Sequence, residues 1–251
     1  EIYTLSLHDA LPICGSGAPS VEGINFKAMK GQTIGVIGGT GSGKSSLVNL
    51  IPRLYDATQG EVLVDGVNVK DYDIETLRNK VGIVMQKAVL FKGTIRENMW
   101  MGKKGATDEQ IDEALEISQS KEFVDSKQGR LDYVIEQGGK NLSGGQRQRL
   151  TIARAIVRKP DVLILDDSAS ALDFATDAAL RKAIRGMNNS PTVFIVSQRA
   201  ASLMYADLII VLDDGQVAGM GTHDELLANC EVYKEIYESQ FKKADSEGGV
   251  A

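Results

Sequence analysis

The sequence predicts an α/β fold built on a mostly parallel sheet, and three observations carry that prediction. Short apolar, β-rich runs recur along the chain: "TIGVIG", "EVLVDG", "VGIVMQ", "VLILDD", "TVFIVS" and "LIIVL". Each has the length of a strand. Helical periodicity appears between them, clearest at Asp108 to Ser118 and Gly144 to Arg158, and strands alternating with helices favour a parallel sheet. The run "VLILDD" is apolar until its two closing acids, as expected of a buried strand that delivers carboxylates at its end.

Bulk properties narrow the class. With 251 residues the chain has room for one large domain or two lobes sharing a core. Its 43% hydrophobic and 25% charged content is that of a soluble globular protein. The net charge of -6 argues against a broad basic face for nucleic acid. No apolar run approaches the roughly 20 residues that span a bilayer. Cys14 and Cys230 match no metal-ligand spacing and no disulfide scaffold, which fits a reducing, cytosolic setting.

The elements are taken in chain order. Glu1 to Ile13 ("EIYTLSLHDALPI") have neither the basic start nor the apolar stretch of a targeting peptide. They are identical to a translation of a common sequencing-adapter oligonucleotide, with Cys14 at the junction. Residues 1–14 are therefore expected to be a read artefact, and the functional reading begins at Gly15.

"GQTIGVIGGTGSGKSSLVNLI" reads as a strand, a glycine loop and a helix beginning at Lys44. It fits G-x-x-x-x-G-K-[ST] through Gly38, Gly43, Lys44 and Ser45. Backbone N–H groups of Gly39, Thr40, Gly41, Ser42 and Ser46 complete the loop that such glycines turn inward around phosphate oxygens. The helix N-terminus adds partial positive charge. Lys44 is expected to reach the β- and γ-phosphates, and the Ser45 hydroxyl to bind Mg²⁺. This is the P-loop of a nucleoside triphosphatase (NTPase), so the expected fold is a P-loop NTPase core. Asp166, closing "VLILD", is then placed to hold Mg²⁺ directly or through water, the Walker B role.

"NLSGGQRQRL" opens a helix at Ser143. Ser143 and Gln146 have the spacing of a capping box. A cap does not require Gly144 and Gly145, which leave backbone N–H groups open to an anion at a helix start.

Leu142, Ser143, Gly144, Gly145 and Gln146, just upstream of the Walker B strand, resemble the signature of ATP-binding-cassette (ABC) transporter nucleotide-binding domains. The resemblance covers essentially Gly15 to Ala251. Its motifs occur in family order: the Walker A loop, Gln86 in "IVMQKAVLF" as the Q-loop, the signature, Walker B, and "SALD" (Ser170 to Asp173) as the D-loop. "TIRENMWMG" is similar to exporters rather than importers. The resemblance implies a helical subdomain at about 89–159, inserted into the NTPase core, a domain running to residue 241 and a tail over 242–251. It also implies an antiparallel β subdomain, truncated at its N-terminal side.

The same resemblance implies a mechanism. Two such domains face each other head to tail and clamp each ATP between one Walker A loop and the other's signature. Gln86 touches Mg²⁺ or the attacking water and reports to transmembrane domains. Ser45, Gln86 and Asp166 form the Mg²⁺ set. The expected location is the cytoplasmic face of the cell membrane, peripheral or fused to an upstream membrane domain. The implied cargo is lipid, peptide or drug.

Three departures stand out. The family has glutamate after the Walker B aspartate, whereas this chain has Asp167; its carboxylate is withdrawn by about 1.5 Å. The family has histidine after the "IVS" strand, whereas this chain has Gln198, which can donate a hydrogen bond but carries no charge. Both changes weaken activation of the attacking water, while the residues serving a partner's ATP, Ser143, Gly144, Gly145 and Asp173, are intact. That asymmetry resembles one half of a heterodimeric exporter with one slow and one competent site. Third, the adenine-stacking aromatic, spaced about eighteen residues before Gly31, would fall at Ile13 within the adapter-like segment, and is therefore expected to be lost with the truncated N-terminus rather than mutated.

The alternatives are a slow homodimeric exporter, a soluble cassette ATPase and a purely regulatory ATP-binding module. His223 in "GTHDELL" reads as the cap of a surface helix, Cys230 as a small semi-buried residue, and "YKEIYESQFKKADSEGGVA" as a closing amphipathic helix with a polar tail.

Overall fold

The computed structural model describes residues 21–168 and 171–247. The adapter-like segment, Cys14, position 13, Ser170 and the last four residues lie outside the described residues. The order is β1 (Thr33–Gly38), α1 (Lys44–Asn49), β2 (Leu63–Val64), β3 (Val67–Asn68), α2 (Ile74–Lys80), β4 (Val81–Val84) and β5 (Gly93–Thr94). Next come α3 (Ile95–Trp100), α4 (Asp108–Ile117), α5 (Lys121–Asp125), β6 (Val134–Ile135) and α6 (Gly144–Ile156). The chain closes with β7 (Val162–Asp166), α7 (Phe174–Arg185), β8 (Thr192–Val196), β9 (Leu208–Asp213), β10 (Gln216–Gly221), α8 (His223–Asn229) and α9 (Glu231–Glu247).

The described residues form two compact units, one made of those up to Arg78 and from Thr192 onward, the other of those from Asn79 to Pro191. In the first, β1 lies between β8 and β9 and runs parallel to both, with Ile34 opposite Phe194 and Leu208. Every residue of β1 is buried, which is why its apolar run does not alternate. β10 is antiparallel to β9, with an irregularity between Val217 and Gly219. Burial of β10 alternates along its length, and its small side chains hide that pattern from the sequence.

In the second unit β4 is parallel to β7, from Val81 opposite Val162 to Val84 opposite Leu165. Gly82 is required there: a Cβ would come within 2.9 Å of Pro160 and 3.0 Å of the Ala155 carbonyl. The helices α3, α4 and α6 each start with a capping box, at Thr94/Glu97, Thr107/Gln110 and Ser143/Gln146. Arg96 joins Asp108 and Asp132, and Arg130 joins Asp112 and Asp125. These helices, with the β5–β6 pair, occupy the stretch expected to be a helical insertion.

Several boundaries differ from expectation. "EVLVDG" yields only Leu63–Val64 as strand, because Asp65 and Gly66 turn into a hairpin with φ of 55° and 75°. The strand expected over "VGIVMQ" stops at Val84, and the helix expected to Arg158 stops at Ile156. α9 continues to Glu247, through the first part of the expected tail.

Candidate functional site

In the first unit the phosphate loop connects the carboxyl end of β1 to α1, the place where open parallel sheets bind ligands. Two glycines are dictated by space and torsion. A Cβ on Gly38 would lie 2.1 Å from the Leu212 carbonyl oxygen and 2.6 Å from Ser42 Oγ. Gly43 sits at φ 91° as the N-cap of α1. By contrast, Gly39 and Gly41 have nothing within 4 Å of a notional Cβ, so the loop's inner face is open.

Lys44 is buried, 9% exposed, and its ammonium donates to the carbonyls of Gly38 (2.9 Å) and Gly39 (2.5 Å) and to Ser42 Oγ (3.2 Å). A cavity of roughly 300 Å³ is lined by Gly41, Gly43, Lys44, Ser45, Ser46, Asp214 and Gly215. Its glycine walls, buried cation and first-turn backbone suit a polyphosphate. The turn residues Asp214 and Gly215 were not legible as lining residues, because only the β9–β10 hairpin brings them to the loop.

The same unit carries Gln198. β8 pairs with β1 so that Val196 lies opposite Val36, and the Ser197 N–H donates to the Val36 carbonyl at 3.1 Å. Gln198 therefore follows a strand that ends beside the phosphate-loop strand, and its side chain is exposed.

In the second unit β7 is buried along its whole length and ends at Asp166, which is 5% exposed. Asp167 turns away at φ 45°, a left-handed conformation that side chains other than Asn and Asp seldom adopt. From the neighbouring strand end, the Gln86 Nε2 donates to Asp167 Oδ2 at 3.2 Å. The structure thus brings Gln86 and Asp167 together, a pairing for which the sequence offers no signal across a separation of 81 positions.

The segment expected to be the signature, Leu142 to Gln146, occupies the start of α6. Leu142 is buried and anchors the turn. Ser143 Oγ accepts from the Gln146 N–H at 3.2 Å, and Gln146 Oε1 accepts from the Ser143 N–H at 3.1 Å, the capping box read from the sequence. Ser143 and Gly144 are exposed. A Cβ on Gly144 would meet only Arg147 Nη2, at 4.0 Å, whereas one on Gly145 would press to 3.3 Å from the Ala171 carbonyl. Gly144 therefore leaves a helix start open, and Gly145 admits the backbone of the following loop.

Asp173 has a local role as well. It is the N-cap of α7, accepting from the Thr176 N–H at 2.9 Å and from Thr176 Oγ1 at 2.8 Å. Those bonds, the backbone one first, hold its carboxyl below the usual aspartate range. Phe174, next in sequence, is 80% exposed.

His223 departs from expectation. Thr222 caps α8, in a box with Glu225, while His223 Nδ1 shares a 2.8 Å hydrogen bond with the hydroxyl of buried Tyr233. Cys230 is 7% exposed, its thiol facing the Ala218 carbonyl at 3.7 Å.

The chain is 43% identical over 239 residues to an uncharacterized ABC transporter ATP-binding protein of Mycobacterium tuberculosis, covering 94% of this chain and 40% of that protein. It is 40% identical over 223 residues to a provisionally named multidrug export ATP-binding/permease protein of Staphylococcus aureus, covering 89% and 39%. It thus spans about two fifths of the length of these relatives. A solved structure of a bacterial Atm1-family ABC exporter with ATP bound superposes with a TM-score of 0.91 at 29% identity, over 96% of this chain and 42% of that one. Residues 21–170 match the ABC transporter family profile, and the chain belongs to the ABC transporter family as an ATP-binding domain.

Proposed function

We propose that this domain couples ATP binding and hydrolysis to export across a membrane, as the slow-site half of a heterodimeric transporter. The observation that carries the reading is Asp167 in the position of the water-activating carboxylate, drawn back by one methylene and engaged by Gln86 at 3.2 Å. A displacement of about 1 Å at such a group costs on the order of 100-fold in rate. Gln198, neutral where the family has histidine, weakens the same step.

The roles divide by residue. Gly38, Gly39, Thr40, Gly41, Ser42, Gly43, Lys44 and Ser46 hold the phosphates, with Lys44 exchanging loop carbonyls for phosphate oxygens. Ser45, Gln86 and Asp166 would hold Mg²⁺, which when bound would neutralise charge on the phosphates. Asp167 accepts a proton from water that it orients, and Gln198 donates toward the γ-phosphate. The segment Leu142 to Gln146, seated on buried Leu142 and presenting Ser143, Gly144, Gly145 and Gln146, faces with Asp173 the ATP of a second, different nucleotide-binding domain, whose site turns over rapidly.

Transmembrane domains are the other proposed partners, placing this domain at the cytoplasmic face of the membrane. Support comes from the length of the relatives and from a groove of roughly 160 Å³ in the second unit, lined by Phe91, Met101, Arg154 and Arg158 among others. Phe91 and Met101 are half-exposed there.

Ser143→Arg tests the central claim. In the assembled pair it is expected to lower ATP turnover on the order of 100-fold, by removing oxyanion-type donors from the competent site. Unchanged turnover would overturn the assignment of the signature to the partner's site.

A further inference from the structure

The segment that carries Gln198 is held from a helix 42 residues further along the chain. In α9, Gln240 Nε2 donates to the Gln198 carbonyl at 2.7 Å, and Gln240 Oε1 accepts from the Ala200 N–H at 2.9 Å. One amide thus satisfies a carbonyl and an N–H two residues apart. Only one orientation of the amide does both, so the network fixes which end is oxygen.

The Ala200 N–H needs such a partner. It opens a short helical turn, Ala200–Ser202, whose N-cap residue Arg199 supplies no side-chain cap. First-turn N–H groups have no partner within their own turn. Gln240 does from a distant helix what a serine or aspartate cap does locally.

On the strand side the segment is fixed independently. The Ser197 N–H bonds to Val36, and Ser197 Oγ accepts from the Arg199 N–H at 2.9 Å. Gln198 is exposed between these two restraints.

The clamp is itself aimed. Tyr233 is fully buried and its hydroxyl is bonded to His223. Gln240 follows it by seven residues, about two helical turns, and so lies on the same face of α9. Locking Tyr233 fixes the rotation of α9 that points Gln240 at the Gln198 segment.

We propose that Gln240 is a positioning residue: through its two hydrogen bonds, α9 sets the backbone from which Gln198 projects toward the γ-phosphate. The proposal rests on the reading of Gln198 given above.

Gln240→Leu, nearly isosteric and without either bond, is the test variant, and Gln240→Glu, which loses only the donor, is the second. Hydrogen exchange on the 251-residue chain, with β1 amides as the folding control, reads the clamp without reference to catalysis. The Ala200 amide is expected to exchange about five- to tenfold faster in Gln240→Leu. In the assembled transporter, with the partner's own site inactivated, kcat for ATP is expected to fall several-fold at unchanged KM. That effect should vanish in a Gln198→Ala background.

Unaltered Ala200 exchange in Gln240→Leu overturns the clamp, and in Gln240→Glu, which keeps the acceptor, that amide is expected to stay protected. Faster exchange with unchanged kcat overturns the positioning role, provided Gln198→Ala alone lowers kcat. If Gln198→Ala alone has no effect, the reading of Gln198 fails, and the positioning role falls with it even though the exchange data identify the clamp.

Discussion

The Gln86 side chain donates to the Asp167 carboxylate across 3.2 Å, linking the residues that follow two parallel strands, β4 and β7. In the proposed mechanism Gln86 serves Mg²⁺ and the carboxylate after Walker B serves the attacking water. Their bond occupies one oxygen of the carboxylate that the water needs, and leaves the Gln86 amide oxygen for the metal.

Asp167→Glu combined with Gln198→His is therefore expected to raise hydrolysis at this chain's own site. The added methylene advances the carboxylate by about 1.5 Å, and histidine supplies a group that can carry charge. Recovery of tenfold or more is expected, since geometric misplacement of this size costs on the order of 100-fold. Single-turnover phosphate release with the partner's site inactivated measures it. An unchanged rate would remove Asp167 and Gln198 as the cause of slow turnover.

The phosphate loop yields a contrast between adjacent glycines. Gly38→Ala forces a Cβ to 2.1 Å from the Leu212 carbonyl, whereas Gly39→Ala meets nothing within 4 Å. The first substitution is expected to destabilise the domain by about 3 kcal/mol or more, as backbone-level overpacking does. The second should lie within about 0.5 kcal/mol of the parent. Urea unfolding of both variants decides the matter, and equal midpoints would contradict the geometry.

Ser143 combines two duties that substitution can separate. Ser143→Ala removes the cap of α6 and is expected to cost about 1 kcal/mol, a fall in Tm of about 2–4 °C for a domain of this size. Ser143→Asp keeps a capping oxygen for the Gln146 N–H but sets a negative charge where an anion is expected. Its Tm should stay near the parent value while turnover of the assembled pair drops on the order of 100-fold. If the aspartate variant turns over normally, Ser143 serves only as a cap.

Much of this was legible in the sequence, and for identifiable reasons. The phosphate loop and the Ser143–Gln146 box are local: a few consecutive residues contain the turn, the cap and the helix start. β1, β7, β8 and β9 announced themselves because buried parallel strands are apolar without interruption. β10 did not, since Gly219 and Gly221 stand where an alternating strand displays large side chains. What the sequence withheld is long-range. The Gln86–Asp167 bond, the placing of Asp214 beside Ser46 and the reach of Gln240 to Gln198 each depend on how distant strands and helices stack. His223 misled because a histidine at a helix start reads as a cap. The neighbouring Thr222, followed three residues later by Glu225, is the stronger capping signal.

Tyr233 makes alkaline stability the last expected outcome. Burial, ahead of the influence of Tyr237, raises its hydroxyl from the usual 10 to about 12. The unfolded chain therefore releases this proton near pH 10, while the folded chain keeps it until about pH 12. Below the unfolded value neither state is ionised, so the contribution of Tyr233 is fully present; between the two values unfolding is favoured by deprotonation, and stability declines as pH rises. Tyr233→Phe removes that titration and should flatten the decline over the same window, at the cost of a His223 ring without its 2.8 Å partner at neutral pH. Urea midpoints measured at neutral pH and across the alkaline window test both halves. A parent and variant that lose stability in parallel above pH 10 would show that Tyr233 is not the group responsible.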